Sequence, residues 1–136
     1  MGLLDLGTGE RVRVPVSATE IVTCSPVWCR VRVVARSGVS RIDLMRPDGA
    51  ERHRIAGGAA ATASAPDAAL LDRFEVMSEG DLEKPRLLKL YDETSRTTTR
   101  VAGGVGGIAV RSGVLWWSTG RDATLRWHAL DLRTLA

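Results

Sequence analysis

The tetrapeptide Ile55-Ala56-Gly57-Gly58 returns 46 positions later as Val101-Ala102-Gly103-Gly104. At the same offset Arg54 meets Arg100, Leu44 meets Leu90, Ile42 meets Leu88 and Trp28 meets Phe74. An offset of 40 aligns Ser78 with Ser118, Arg86 with Arg126 and Leu90 with Leu130, and puts Val76 and Trp116 on one apolar line. LLDLGTGERVRV near the N-terminus shares the grammar of RIDLMRPDGAERHRI: an apolar run, a Gly-containing turn, then an Arg-rich alternating stretch. A repeat of this length limits the fold more than any other feature, because each repeat must be one supersecondary unit that buries its apolar face on its neighbours. Periods of this size suit a propeller blade of four antiparallel strands.

The local pattern agrees. Arg11-Val12-Arg13-Val14, Arg30-Val31-Arg32-Val33-Val34 and Arg52-His53-Arg54-Ile55 alternate as half-buried strands do. Thr8-Gly9 and Asp48-Gly49 are hairpin turn signals. The apolar middle of Gly113–Thr119 fits a strand covered on both faces. One segment points elsewhere: residues 67–77 follow a Pro and place Leu70, Leu71, Phe74 and Met77 at helical spacing. The repeat instead puts Phe74–Ser78 on a strand, and the repeat carries the prediction. The expected fold is therefore all-β: a partial β-propeller of about three four-stranded antiparallel blades, a fragment of a six- to eight-bladed parent. The divisions are 1–15 (outer strands of an incomplete blade), 16–58 and 59–104 (blades), and 105–136 (an incomplete C-terminal blade). Two outer strands at one end and three inner ones at the other make one strand too many for a closed circle. An absent N-terminal portion explains this most simply; the competing expectation is a partial propeller whose open edges pair with copies of themselves.

Gly103, Gly104, Gly106 and Gly107 are expected at the seam where the outer strand of one blade returns to the inner strand of the next, as Gly57-Gly58 is one repeat earlier. They do not form a phosphate loop. Their spacing is not G-x-G-x-x-G, and neither a Gly-Lys-Ser/Thr nor a helical pattern follows.

Leu44–Gly58 (LMRPDGAERHRIAGG), Leu87–Ala102 (LLKLYDETSRTTTRVA) and Gly106–Leu135 (GGIAVRSGVLWWSTGRDATLRWHALDLRTL) resemble the blades of TolB-like β-propellers. The chain is most similar to actinobacterial exported propeller proteins of undefined role. The resemblance covers most of the chain and implies export to the cell envelope or beyond, β-blades and a binding role. It brings no catalytic motif with it.

Composition excludes more than it assigns. The net charge is +3, yet all the basic residues except Lys84 and Lys89 are arginines, scattered among acids. Asn and Gln are absent, a bias typical of GC-rich coding. This is a solvated mixed surface rather than a nucleic-acid stripe. No apolar run reaches the length of a membrane span, and the N-terminus does not read as a signal peptide.

The expected role is a non-catalytic protein- or ligand-binding scaffold, with no cofactor and no metal. Cys24 and Cys29 in TCSPVWCR could meet across a hairpin loop as a disulfide; reduced core thiols are the alternative. Trp116, Trp117 and Trp127 lie within twelve positions and could form a binding platform, against a simpler role in packing between blades. His53 and His128 read as packed or surface histidines. Ser118, His128 and Asp131 can be drawn as a triad, but no G-x-S-x-G elbow occurs. Glu79, Asp81 and Glu83 alternate around a turn, too few for calcium. The competing function is part of a propeller hydrolase or lactonase whose active site lies in absent blades.

Overall fold

The computed structural model describes residues 1–36, 38–57, 61–63, 65–80 and 86–136. These residues form twelve strands: β1 Gly2–Leu4, β2 Arg11–Arg13, β3 Glu20–Cys24, β4 Cys29–Ala35, β5 Gly38–Met45, β6 His53–Gly57, β7 Ala61–Ala63, β8 Phe74–Glu79, β9 Arg86–Asp92, β10 Thr97–Arg111, β11 Val114–Thr119 and β12 Arg126–Asp131. The only other regular elements among them are 3-10 turns at Asp122–Thr124 and Leu132–Leu135. The chain is all-β, and every strand pair is antiparallel.

The strands form a two-stranded hairpin (β1-β2), a four-stranded sheet (β3-β4-β5-β6) and a six-stranded sheet running from β7 to β12 in chain order. The four-stranded sheet is drawn from the strands between Glu20 and Gly57. In the six-stranded sheet β10 runs through residue 104 without a break. Its first part pairs with β9 and its last part with β11, and Val105 faces both Arg86 and Thr119. Register shifts flank Val105 on both sides, and Gly104 sits in one of them at φ +62. Bulges bend a strand and increase its twist, so one strand serves two differently oriented neighbours. The glycines thus mark a change of partner within a strand rather than a loop between blades; Gly58 lies outside the described residues.

The sheets stack in series. β8 shows why. Phe74 and Val76 point into one core with Leu88, Leu90, Val105, Leu115 and Leu132. Met77, from the opposite face of the same strand, joins Trp28, Ile42, Leu44, Ala69 and Tyr91. A strand buried on both faces must lie between two layers. On the far side of the four-stranded sheet, Cys29, Val31 and Met45 pack with Val14, and Leu3 of the hairpin leans on them. The order is hairpin, four-stranded sheet, β7 to β9 with the start of β10, then the end of β10 with β11 and β12.

The helical spacing over 67–77 proves misleading, as the repeat predicts. Ala69, Leu71 and Asp72 have positive φ, and Leu70 and Phe74 exchange backbone hydrogen bonds of 2.8 and 2.9 Å across a wide turn. Phe74 and Met77 then serve opposite cores, which no single helix face could do.

A buried ion pair joins the second layer to the third. Arg30 of β4 donates from Nη1 to Glu75 Oε2 at 3.0 Å. The two side chains are 3% and 0% exposed. The Arg30 guanidinium also donates to the carbonyls of Pro66 and Asp67, and Ala69 N donates to Glu75 Oε1 at 2.7 Å. Burial pushes the Glu75 carboxyl above the ordinary Glu value, with Arg30 opposing.

Candidate functional site

The end of the stack exposes one face of the last three strands. The register of β10, β11 and β12 fixes its side chains in three rows. Ser118 and Trp127 form the first, with Gly107 hydrogen-bonded to Ser118 in the shifted stretch of β10, Ala109, Trp116 and Ala129 the second, and Arg111, Val114 and Asp131 the third. Because strand side chains alternate, the residues between them face the core. Ile108, Val110, Leu115, Trp117 and Leu130 pack there.

The three sequence-singled tryptophans therefore divide. Trp117 is a core residue whose ring stacks on His128, with centroids 5.4 Å apart and planes 18° apart. Trp116 and Trp127 lie diagonally on the open face, 42% and 56% exposed. Trp127 is opposite Ser118, one strand away, yet its ring reaches β10: Cη2 lies 3.0 Å from where a Cβ on Gly107 would sit. The indole thus lies along the sheet over Ser118 and Gly107. Ser118 Oγ is held beneath it, accepting from Gly107 N at 2.7 Å. The sequence signals Gly107 as a glycine; only the register shows that its missing side chain makes room for a ring.

The charges on this face are unequal. Arg133 donates from Nε and Nη2 to the two Asp131 oxygens, at 2.8 Å each. These hydrogen bonds hold the Asp131 carboxyl below its ordinary value. Arg111 is exposed and has no acidic partner among the described residues.

The paper triad does not assemble. Ser118 faces outward, whereas His128 faces the core and binds Thr119 Oγ1 through Nε2 at 2.9 Å. His53 is packed, edge-on to Trp28 at 5.8 Å. Its Nδ1 lies 2.6 Å from the Glu51 carbonyl and its Nε2 2.9 Å from Glu93 Oε2, which also accepts from Tyr91 OH at 2.7 Å. Nothing in the sequence pattern flags this cluster, since Glu93 lies 40 residues from His53. Asp81 and Glu83 of the acidic turn lie outside the described residues; Glu79 pairs with Lys89. Among the described residues no three His, Cys, Asp or Glu side chains group to hold a metal. No helix among them is long and apolar enough to cross a membrane.

Cys24 and Cys29 are directly opposite on β3 and β4 and form a disulfide. The turn between them is closed by Ser25, whose N donates to the Trp28 carbonyl at 2.7 Å and whose Oγ accepts from Trp28 N at 3.0 Å. Denatured, unreduced protein is expected to titrate no free thiol. Because the enclosed loop is short, reduction should lower stability by about 2 kcal/mol or less, measured by urea unfolding with and without reductant.

The fold and the open face define an all-β stack ending in an aromatic surface. No family model, curated protein or solved structure matches the chain.

Proposed function

We infer that this chain is a non-catalytic recognition module of an exported β-propeller of the TolB-like kind, and that it binds its ligand on the Trp116–Trp127 face. The observation that carries the reading is the posture of Trp127. Its large apolar ring reaches back across Ser118 to Gly107 of β10, with more than half its surface in water. Exposed apolar surface built in this way marks an interaction site. The serial stacking of antiparallel sheets supports a blade-like arrangement. The disulfide supports an oxidising compartment, because such bonds are rare in reducing ones. The competing hydrolase or lactonase reading draws no support from Ser118, His128 and Asp131, because His128 faces the core while the other two lie on the open face.

The test is a screen of immobilised oligosaccharides and peptides against the native chain and the Trp116→Ala/Trp127→Ala double variant. Ligands captured by the native chain should be lost in the variant, with unchanged recovery from the supernatant. The variant should keep the native thermal midpoint to within a few degrees, since both rings point outward. Captured ligands retained by the variant, no Trp-dependent capture, or turnover of a bound ligand would each overturn the reading.

A further inference from the structure

We propose that His53 and Glu93 form a proton-operated clasp between the four-stranded sheet and the six-stranded sheet. It is closed while the imidazole carries both of its protons and opens when Nε2 loses its own. The clasp sits between two inner layers of the stack and stands independently of the Trp116–Trp127 reading.

Hydrogen-bond chemistry is the first argument. His53 Nδ1 lies 2.6 Å from the Glu51 carbonyl oxygen, which can only accept, so Nδ1 carries a proton. Nε2 lies 2.9 Å from Glu93 Oε2. Tyr91 OH is 3.4 Å from Nε2, but it donates its one proton to Glu93 Oε2 at 2.7 Å. Burial, then that bond to Glu93, push the Tyr91 hydroxyl above its ordinary value, so it stays a neutral donor. With that proton committed, Nε2 has no donor to accept from among the described residues. Only a second ring proton turns the contact with Glu93 into a hydrogen bond, and the result is an ion pair.

Placement is the second argument. His53 begins β6, whereas Tyr91 lies on β9 and Glu93 directly follows that strand. Glu93 N donates to the Arg73 carbonyl at 2.9 Å, which fixes the backbone that carries the acid. The imidazole stands edge-on to Trp28, and Trp28 and Tyr91 share the core between the two sheets. The His53 and Glu93 side chains are 18% and 9% exposed, so water competes poorly for the bridge.

The neighbouring charges leave this pair to itself. The Arg46 guanidinium lies over Trp28 and bonds Glu51, holding the Glu51 carboxyl below its ordinary value. Arg73 does the same for Asp92 on β9. Arg96 Nε lies 3.7 Å from the other Glu93 oxygen and is largely exposed. Among the described residues no second acid lies within ion-pair distance of His53. When Nε2 is bare, two acceptors face each other and the bridge between the sheets is lost. The unfolded chain has no such partner. The clasp's stabilisation is therefore fully present below the ordinary His value of about 6.5 and is lost as pH rises and the folded ring gives up its second proton.

The test is urea unfolding of the full native chain, His53→Gln and Glu93→Gln at about pH 5.5 and about pH 8.5. Comparison with the native chain at each pH cancels the titration of distant groups. His53→Gln should lower the folding equilibrium constant about tenfold at the lower pH and less than about threefold at the higher. Glu93→Gln should cost stability at the lower pH and none at the higher, because its amide donates to the neutral Nε2 where a carboxylate cannot. Proton–nitrogen NMR of the native imidazoles reads the same clasp without any need for a variant to fold. His53 and His128 are distinguished by selective line broadening from a relaxation agent, His53 being the more shielded of the pair by its Glu93 contact. At the lower pH both His53 nitrogens should carry protons; at the higher pH Nδ1 should keep its proton and Nε2 lose it, since the Glu51 carbonyl fixes that tautomer. A single ring proton at the lower pH, or a neutral ring protonated on Nε2 at the higher, overturns the proposal. So does an equal loss at both pH values in His53→Gln or in Glu93→Gln, which is what packing alone would give.

Discussion

Glu75→Gln is expected to destabilise the chain by about 3–5 kcal/mol in urea unfolding near neutral pH, because it strands the Arg30 guanidinium in the interior without a counter-charge. The replacement amide offers one carbonyl oxygen where the carboxylate offers two, so either Arg30 Nη1 or Ala69 N also loses its acceptor, and the loss combines the charge with one hydrogen bond. The pair begins with little reserve. Arg30 Nε finds no hydrogen-bond acceptor among the described residues, and a partly satisfied buried network costs more when broken than it contributes when whole.

The two halves of the pair should fail differently with pH. Arg30→Met leaves Glu75 buried alone, and a carboxyl can escape by taking up a proton. Its folded value is already raised by burial even with Arg30 present. Folded protein therefore binds that proton more tightly than unfolded protein. The associated stability is fully present below the ordinary Glu value of 4.5 and is lost as pH rises through the folded value. Arg30→Met should thus recover as pH falls from about 8 to about 5, relative to the native chain. Glu75→Gln should show no such recovery, since a guanidinium does not shed its proton. Arg30→Met/Glu75→Leu, which removes both charges, should return close to native stability at both pH values. A Glu75→Gln loss below about 1 kcal/mol would show that the layers do not depend on this pair.

The strands are largely legible in the sequence because alternation is local. Arg30–Val34 predicts the heart of β4 and Val114–Ser118 nearly all of β11. The repeat also overrides the helical spacing of Leu70, Phe74 and Met77, since it carries information about neighbours that eleven residues alone do not. What the sequence does not show is how one strand serves two neighbours: the glycines near 104 read as a joint, whereas β10 runs on to Arg111. Hydrogen bonding through Val105 to both sides depends on tertiary twist, and no composition encodes it. Arg30 and Glu75 are likewise invisible as partners, because charged residues on alternating strands read as solvent-facing until a second sheet covers them. Of the aromatic trio, residue type alone marks Trp116, Trp117 and Trp127 as equals; register separates Trp117 from the other two.

Gly107 and Gly104 sit three residues apart in β10, and their substitution should separate posture from backbone strain. At Gly107 the backbone is ordinary, and the cost is steric: a Cβ would lie 3.0 Å from Trp127 Cη2 and 3.3 Å from Ser118 Oγ. Gly107→Val adds two methyl groups in that space, so the indole must swing off the sheet. Because the ring borders water, it can yield, and stability should fall by only about 1 kcal/mol, at the low end of overpacking costs. The larger effect should be on the face itself. Acrylamide quenching of Trp fluorescence should rise, and binding through Trp127 should drop nearly as far as in Trp127→Ala. Gly104→Ala presents the reverse case. No atom lies within 4 Å of the added Cβ, but φ is +62. The cost there is a left-handed backbone, about 1–2 kcal/mol, with the indole undisturbed and quenching unchanged. If Gly107→Val left quenching at the native level, Trp127 would not be resting on β10, and Gly107 would play no part in setting its posture.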